Sequence, residues 1–321
     1  MLTTTLFLLA AVIALALFVD RRADLREAEI EARFPPEGRI VQVDGRDVHV
    51  VVRGEGPDLV LIHGAGANFR DMDMTLADEL STRYRVFMVD RPGHGWTAAG
   101  APFSGAFATA GESPRSQANI LSRAVAELGA ENPIVLGHSF GGAVAMAWAL
   151  EAEAAALVIL SGVTLPWPGE VDISYRVIGS ALGGAVLAPL GAAFVPRSYV
   201  ADVLESTFHP QSPPPDYLSR AGIPLAIRTA TLRANNRQVN TLRPKVVDQA
   251  GDYDRLTLPI EILHGTADRT VFADIHAEPL AERLPNAELT LLDGQGHMPH
   301  HSVPGTIIEA IDRAAARAGL R

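Results

Sequence analysis

The sequence predicts an α/β fold: a mostly parallel twisted sheet with helices on both faces, an inserted helical cap, and an N-terminal hydrophobic helix. Three observations predict it. Short apolar runs alternate with helix-period segments along the chain, the pattern of a parallel sheet covered on both sides. Roughly 100 proline-studded residues separate the apolar run Leu157–Leu160 from the run Ile260–Leu263, too many for a structureless loop. Leu2 to Val19 carries no charge and then meets Asp20, Arg21 and Arg22.

The N-terminal run is expected to span roughly 27 Å as a helix, close to the thickness of a bilayer core. Two readings stand, a membrane anchor and a secretory signal, the latter with Ala14-Leu15-Ala16 as a cleavage site. The first five residues have no basic side chain, and Arg21, Arg22 and Arg26 lie on the far side. Positive charge on that side favours an uncleaved single-pass anchor with the following domain cytoplasmic; a cleaved signal would make it exported. A helix buried in a soluble core fits poorly, because no polar face interrupts the run. Residues 1–20 are therefore read as anchor or uncleaved signal, and residues 21–38 as a charged stalk ending at Pro35-Pro36.

Beyond Pro36, Arg39–Asp44 and Asp47–Arg53 alternate apolar and polar residues around Asp44-Gly45, a hairpin with a tight turn. Leu59–Ile62 is a buried strand that feeds His63-Gly64-Ala65-Gly66. Met72–Leu80 has helical spacing and Tyr84–Val89 reads as a strand. Helical spacing returns over Ser116–Leu128, where Ile120, Leu121, Val125 and Leu128 share a side. Strand Ile134–Leu136, helix Gly141–Leu150 and strand Leu157–Leu160 follow. The last part adds strands Ile260–Leu263 and Leu289–Leu292 with helices Ala277–Arg283 and Thr306–Ala316. Residues 39–163 and 257–321 thus form two parts of one core, with the cap inserted at 164–256.

Composition removes several function classes. The 321 residues are 48% hydrophobic and 20% charged, which excludes a disordered chain. The net charge of −10, with scattered basic residues, disfavours nucleic acid as a partner. With no cysteine, thiolate nucleophiles, zinc–thiolate sites and iron–sulfur clusters are excluded. Lys245 is the lone lysine, so Schiff-base chemistry has almost no candidate.

One constellation carries chemistry. Gly137-His138-Ser139-Phe140-Gly141 fits G-x-S-x-G between a strand and a helix, the turn that exposes a serine at a sheet edge. A side chain at either glycine would collide with the adjoining strand or helix. A serine hydroxyl needs a base, and the base an orienting acid. Asp268 follows the strand Ile260–Leu263, and His297 follows Leu289–Leu292 within Gly294-Gln295-Gly296-His297. All three sit past strand C-termini, the edge at which open α/β sheets bind ligands. Among ten histidines, His300 and His301 share that loop but lack the glycine-flanked placement, and at most line the pocket. Oxyanion donors are expected from the backbone N–H of Phe140 and of Ala65, with Gly64 or Gly66 as alternatives to the latter.

From about Arg39 to Ala318 the chain resembles the α/β-hydrolase fold superfamily. The matching stretches are His63-Gly64, Asp90-Arg91-Pro92-Gly93-His94-Gly95, the serine turn, and the Asp268 and Gly296-His297 loops. It looks most like capped Ser-Asp-His hydrolases: esterases, haloperoxidases and meta-cleavage-product hydrolases. The resemblance implies a structural role for Asp90, and makes His94 and Trp96 candidates for pocket contact. Haloalkane dehalogenases and epoxide hydrolases carry aspartate where this chain has Ser139, so an acyl-serine is the expected intermediate.

The function expected is hydrolysis of a small to medium, apolar carboxylic ester, with Ser139 as nucleophile, His297 as general base and acid, and Asp268 orienting it. No cofactor or metal is required. Perhydrolysis and acyl transfer use the same triad. One alternative is C–C bond hydrolysis of an acidic dienone, which needs a carboxylate-binding arginine such as those in Arg228–Arg243. Another is a membrane-tethered, non-catalytic binding module, whose sign would be a broken triad. Leu165, Trp167, Tyr175, Phe194, Tyr199, Phe208 and Tyr217 either pack the cap, line an acyl pocket, or meet lipid beside the anchor.

Overall fold

The computed structural model describes Leu2–Leu320; Met1 and Arg321, the end residues of the first and last expected segments, lie outside the described residues. The described chain contains eight strands: β1 (Arg39–Val43), β2 (Arg46–Arg53), β3 (Asp58–Ile62), β4 (Arg85–Val89), β5 (Ile134–His138), β6 (Ala156–Leu160), β7 (Ile260–Gly265) and β8 (Ala287–Leu292). They form one sheet in the order β1-β2-β4-β3-β5-β6-β7-β8. β1 and β2 make the expected hairpin, and Asp44 and Gly45 both take positive φ, at 51° and 72°. A two-residue turn of this kind requires that conformation, and Asp-Gly tolerates it. β2 also pairs antiparallel with β4, and every later pairing is parallel.

The principal helices are α1 (Leu2–Arg33), α2 (residues 70–80, with a π-helical turn at Asp73–Ala77), α3 (Pro114–Ala126), α4 (Phe140–Glu151), α5 (Ile173–Gly179), α6 (Gly183–Phe194), α7 (Arg197–Phe208), α8 (Thr229–Asn240), α9 (Leu242–Ala250) and α10 (Pro304–Arg317). The two-residue period of the strands sorts their side chains into two cores. Val60, Ile62, Phe87, Val135 and Ile159 pack with α3 and α4, whereas Leu59, Leu61, Met88, Leu136 and Val158 pack with α2 and α10. Each such side chain contributes about 1.5–3 kcal/mol on burial. α3 begins with Pro114 behind Ser113, whose hydroxyl accepts the Ser116 N–H at 3.1 Å, a capped start as helix termini require. Residues Phe140 to Trp148 of α4 are all buried, as a helix apolar on every side must be.

Between β6 and β7 the chain leaves the sheet and builds α5 to α9. α1 runs without a break for 32 residues, about 48 Å, and is long and apolar enough to cross a membrane. Residues 2–18 are exposed throughout. From Val19 onward the helix docks: Val19 and Ala23 pack on Ala192 and Ala193, and Ile30 and Phe34 pack on Leu225. Residues 21–33, expected as a stalk, are therefore the continuation of one helix, held by polar contacts as well. Arg26 donates to the carbonyls of Ala192 and Val195, Glu27 accepts from the Thr229 N–H and hydroxyl, and Glu31 pairs with Arg228 at 2.9 Å. Alternating charge on that stretch reads as solvation in sequence; the partners that absorb it lie more than 160 residues away.

Candidate active site

Ser139 stands between β5 and α4 with φ 54° and ψ −120°, a strained conformation for a residue bearing a side chain. The turn is crowded as the spacing predicts. A Cβ on Gly137 would lie 2.1 Å from the Gly141 carbonyl oxygen, and one on Gly141 would lie 2.4 Å from that of Ile62. Only hydrogen fits at either position, so the hydroxyl is presented at the C-terminal edge of the sheet.

Two other strand ends meet it. His297 Nε2 lies 3.0 Å from Ser139 Oγ, and His297 Nδ1 lies 2.8 Å from Asp268 Oδ2. The second Asp268 oxygen accepts the N–H groups of Thr270 and Val271 at 2.8 and 3.0 Å, which fixes the carboxylate plane. Burial works to raise the Asp268 pKa, but His297, His264 and the Val271 N–H together hold it well below the usual carboxylate range. The acid is thus anionic, and its hydrogen bond places the Nδ1 proton so that Nε2 faces the serine as acceptor. All three expected residues are brought together, and all are buried.

Phe140 is the first residue of α4, where N–H groups lack intrahelical acceptors. Ala65 lines the same space. Of the alternatives named for the second donor, Gly66 is committed elsewhere, its N–H donating to Asn235 Oδ1 at 2.8 Å. Ser139 lies at the junction of two cavities. One, of about 350 Å³, is lined by Leu187, Val195, Tyr199, Val200, Val203 and Leu204 of the insertion; the other, of about 530 Å³, by Val163, Trp167, Val171, Leu242, Phe272 and Ile275. Both are predominantly apolar.

The neighbouring expectations divide. Asp90 is structural: its carboxylate binds His49 Nδ1 and accepts the N–H groups of Phe69 and Trp96, all within 2.9 Å. His94 and Trp96 stay out of both cavities. His94 is buried beside Arg91 and Asn235, and the Trp96 indole donates to the Phe34 carbonyl at the end of α1. His300 and His301 do not line the pocket either; both pair with Asp71, at 3.2 and 2.9 Å. Tyr217 donates to the same carboxylate at 2.7 Å. This carboxylate–imidazole set has metal-binding chemistry, but the two Nε2 atoms are spent on the Asp71 oxygens. Three of the four arginines of Arg228–Arg243 are spent as well: Arg228 on Glu31 and the Gly95 carbonyl, Arg233 on Gly184, Arg237 on Phe103 and Ala106; Arg243 is exposed and borders neither cavity. Arg269 borders the larger cavity. Of the expected aromatics, Phe208 and Tyr217 pack together with Met298 and, with Tyr175 and Tyr199, line the smaller cavity; Trp167 lines the larger one.

Two residues escaped the sequence reading. His138 donates its Nε2–H to the His297 carbonyl at 2.9 Å. Asp71 lies at the start of α2 and lines the Ser139 cavity. The first was visible only as the variable position of a motif, the second only as one acid in a helix.

The chain is similar to several known proteins. Over 305 residues it is 26% identical to an uncharacterized protein of Mycobacterium tuberculosis (strain ATCC 25618 / H37Rv), spanning 92% of this chain and 85% of that protein. Over 281 residues it is 24% identical to the pimeloyl-[acyl-carrier protein] methyl ester esterase of Nitrosomonas europaea, spanning 83% and 98%. An esterase structure from Exiguobacterium antarcticum superposes with a TM-score of 0.68 at 18% identity, over 87% of this chain and 99% of that one, a likeness of fold. The family model described as the alpha/beta hydrolase family matches residues 59–310, which include Ser139, Asp268 and His297. The chain belongs to the alpha/beta hydrolase family.

Proposed function

We propose that the protein is a serine hydrolase of carboxylic esters, with Ser139 as nucleophile, His297 as general base and acid, and Asp268 as its orienting partner. The hydrogen-bonded series Ser139–His297–Asp268, with its 3.0 and 2.8 Å contacts, carries this reading. His297 takes the Ser139 proton as Oγ attacks the ester carbonyl. The N–H groups of Phe140 and Ala65 hold the oxyanion, an effect typically worth about 3–4 kcal/mol per donor. His297 then protonates the leaving alcohol. Water, deprotonated by His297, attacks the acyl-serine, and the acid leaves as Ser139 regains its proton. One water is consumed per ester, and no redox change occurs.

Two apolar cavities meeting at Ser139 suit an ester with a hydrophobic group on each side of the carbonyl. The helices at 164–256 act as the cap over them, and α1 as a single-pass anchor. Commitment of Arg228, Arg233 and Arg237 to protein partners favours esters over a dienone carboxylate. The methyl ester esterase of Nitrosomonas europaea agrees with the same chemistry.

The test is hydrolysis of p-nitrophenyl esters from acetyl to palmitoyl, with Ser139→Ala beside the wild type. A loss of at least about 10³-fold is expected. Equal rates in the two proteins would refute the assignment.

A further inference from the structure

The helices that wall the smaller cavity also carry an apolar outer surface. Leu182 is 72% exposed and Val186 52% exposed, one helical turn apart; Phe194 follows on the same helix, and Tyr199 and Val203 share a face of α7. Contiguous exposed side chains of this size mark an interaction surface. Tyr199 and Val203 are at once exposed and part of the cavity lining, so the route to Ser139 opens on this face.

The position of α1 says what covers it. Packing of Val19 and Ala23 on Ala192 and Ala193 fixes α1 to the end of α6. One residue earlier the helix leaves the body. Leu2–Phe18 then extends roughly 25 Å with every residue exposed, about the depth of a bilayer core. At the point of departure Phe18 and Phe194 have ring centroids 6.4 Å apart, and the Arg22 guanidinium lies 4.9 Å from the Phe194 ring. An arginine lying against an apolar ring can bury its stem and hold its head among headgroups, which suits the level where a chain leaves lipid. Phe194, the last residue of α6, is exposed at that level, and α7 follows it.

We propose that the α6–α7 face docks on the bilayer that receives α1, and that the ester reaches Ser139 from the membrane. The substrate class is then an amphiphilic ester that partitions into lipid, not a freely soluble one. The inference rests on the serine-hydrolase and anchor readings above.

Because the chain has no cysteine, a single one can be placed at will. Leu182→Cys and Val186→Cys mark the face. Ala126→Cys marks exposed surface near the opposite edge, at the end of α3 before β5 begins. Each full-length variant is labelled with bimane in phosphatidylcholine–phosphatidylglycerol nanodiscs, with and without headgroup-proximal doxyl lipid. Quenching by about half at 182 and 186, and none at 126, is expected. Equal quenching at all three sites, or none, overturns docking. Shielding of 182 in a particle holding two chains overturns it in favour of a second copy. In parallel, the Leu182→Asp/Val186→Asp double variant should lose about fivefold or more on p-nitrophenyl palmitate dissolved in the nanodisc. It should keep its rate on aqueous p-nitrophenyl acetate. An unchanged palmitate rate overturns delivery from the membrane. If the wild type leaves the acetate uncleaved, the hydrolase reading has failed, and the quenching still reports on docking.

Discussion

His138 donates its Nε2–H to the backbone carbonyl of His297 at 2.9 Å, so the residue before the serine holds the loop of the histidine that faces it. The ring is buried, and that burial, with His300 and His297 nearby, holds its pKa well below the ordinary value, keeping it neutral. His138 is thus a positioning residue. A hydrogen bond of this kind is worth about 0.5–1.5 kcal/mol. In His138→Phe, which keeps the ring and removes the donor, kcat for a p-nitrophenyl ester should fall about 3–10-fold with KM unchanged. A change confined to KM would show that the bond does not position His297.

Asp268 supplies the negative charge that fixes the His297 tautomer, and two backbone N–H groups hold it in place. Asp268→Asn keeps those contacts in shape but presents an amide to Nδ1. The ring then turns its proton toward Ser139, and kcat should fall on the order of 10³–10⁴-fold. The folded-state pKa is depressed, so the charged carboxylate stabilises the fold above its unfolded pKa near 4, and that stability is lost as pH falls further. At pH 7 the variant should therefore also melt lower than the wild type, whereas at pH 2 the gap should be clearly narrower, closing only as pH falls through the depressed folded-state pKa. Melting curves that stay apart by the same interval at both pH values would refute the linkage.

The parts of this protein that were legible in sequence are those fixed by local rules. A glycine on each side of Ser139 and the glycine before His297 announce close approaches: a Cβ on Gly296 would meet the His209 carbonyl oxygen at 2.3 Å. The central strands β3, β5, β6 and β7 were legible because both faces are buried and the runs are apolar. What escaped depends on distance. Asp71 gains meaning from His300 and His301, some 230 residues on, and Arg237 from carbonyls more than 130 residues back. A polar residue says nothing in sequence about which remote partner will satisfy it.

His63 gives the fold a pH dependence. Its Nε2 accepts the Arg91 N–H at 2.9 Å and its Nδ1 faces the Gly64 carbonyl at 2.8 Å, a pairing open only to the neutral ring. Burial, and then the Arg91 guanidinium, push its pKa down to about 4. A histidine whose folded pKa is lowered leaves the unfolded chain binding more protons between pH 6.5 and about 4. Stability therefore falls with pH across that window, by up to about 1.4 kcal/mol per unit for this ring. Burial lowers His276 to about 4 as well, and lowers His94 and His300. The melting temperature should drop steadily from pH 6.5 to 4.5, and His63→Gln, which keeps an acceptor for Arg91, should flatten the slope. A melting temperature constant over that range would overturn the argument.

The docking of α1 predicts where the chain can be cut. Among the described residues, removing 1–18 takes away only exposed side chains, so the body should keep its melting temperature and its rate on a soluble ester. Removing residues 1–34 strips Val19, Ala23, Ile30 and Phe34 from Ala192, Ala193 and Leu225. It also leaves Arg228 without Glu31, and Thr229 without the acceptor supplied by Glu27. Three of the four lost apolar contacts are large, each worth about 1.5–3 kcal/mol at full burial. At about 2–4 °C per kcal/mol, the longer truncation should melt roughly 5–10 °C or more below the shorter one. Because α6 and α7 wall the Ser139 cavity, the longer truncation should also raise KM for long-chain esters more than for acetate. Identical melting of the two truncations, followed by differential scanning fluorimetry, would show that α1 is a tether and not part of the folded body.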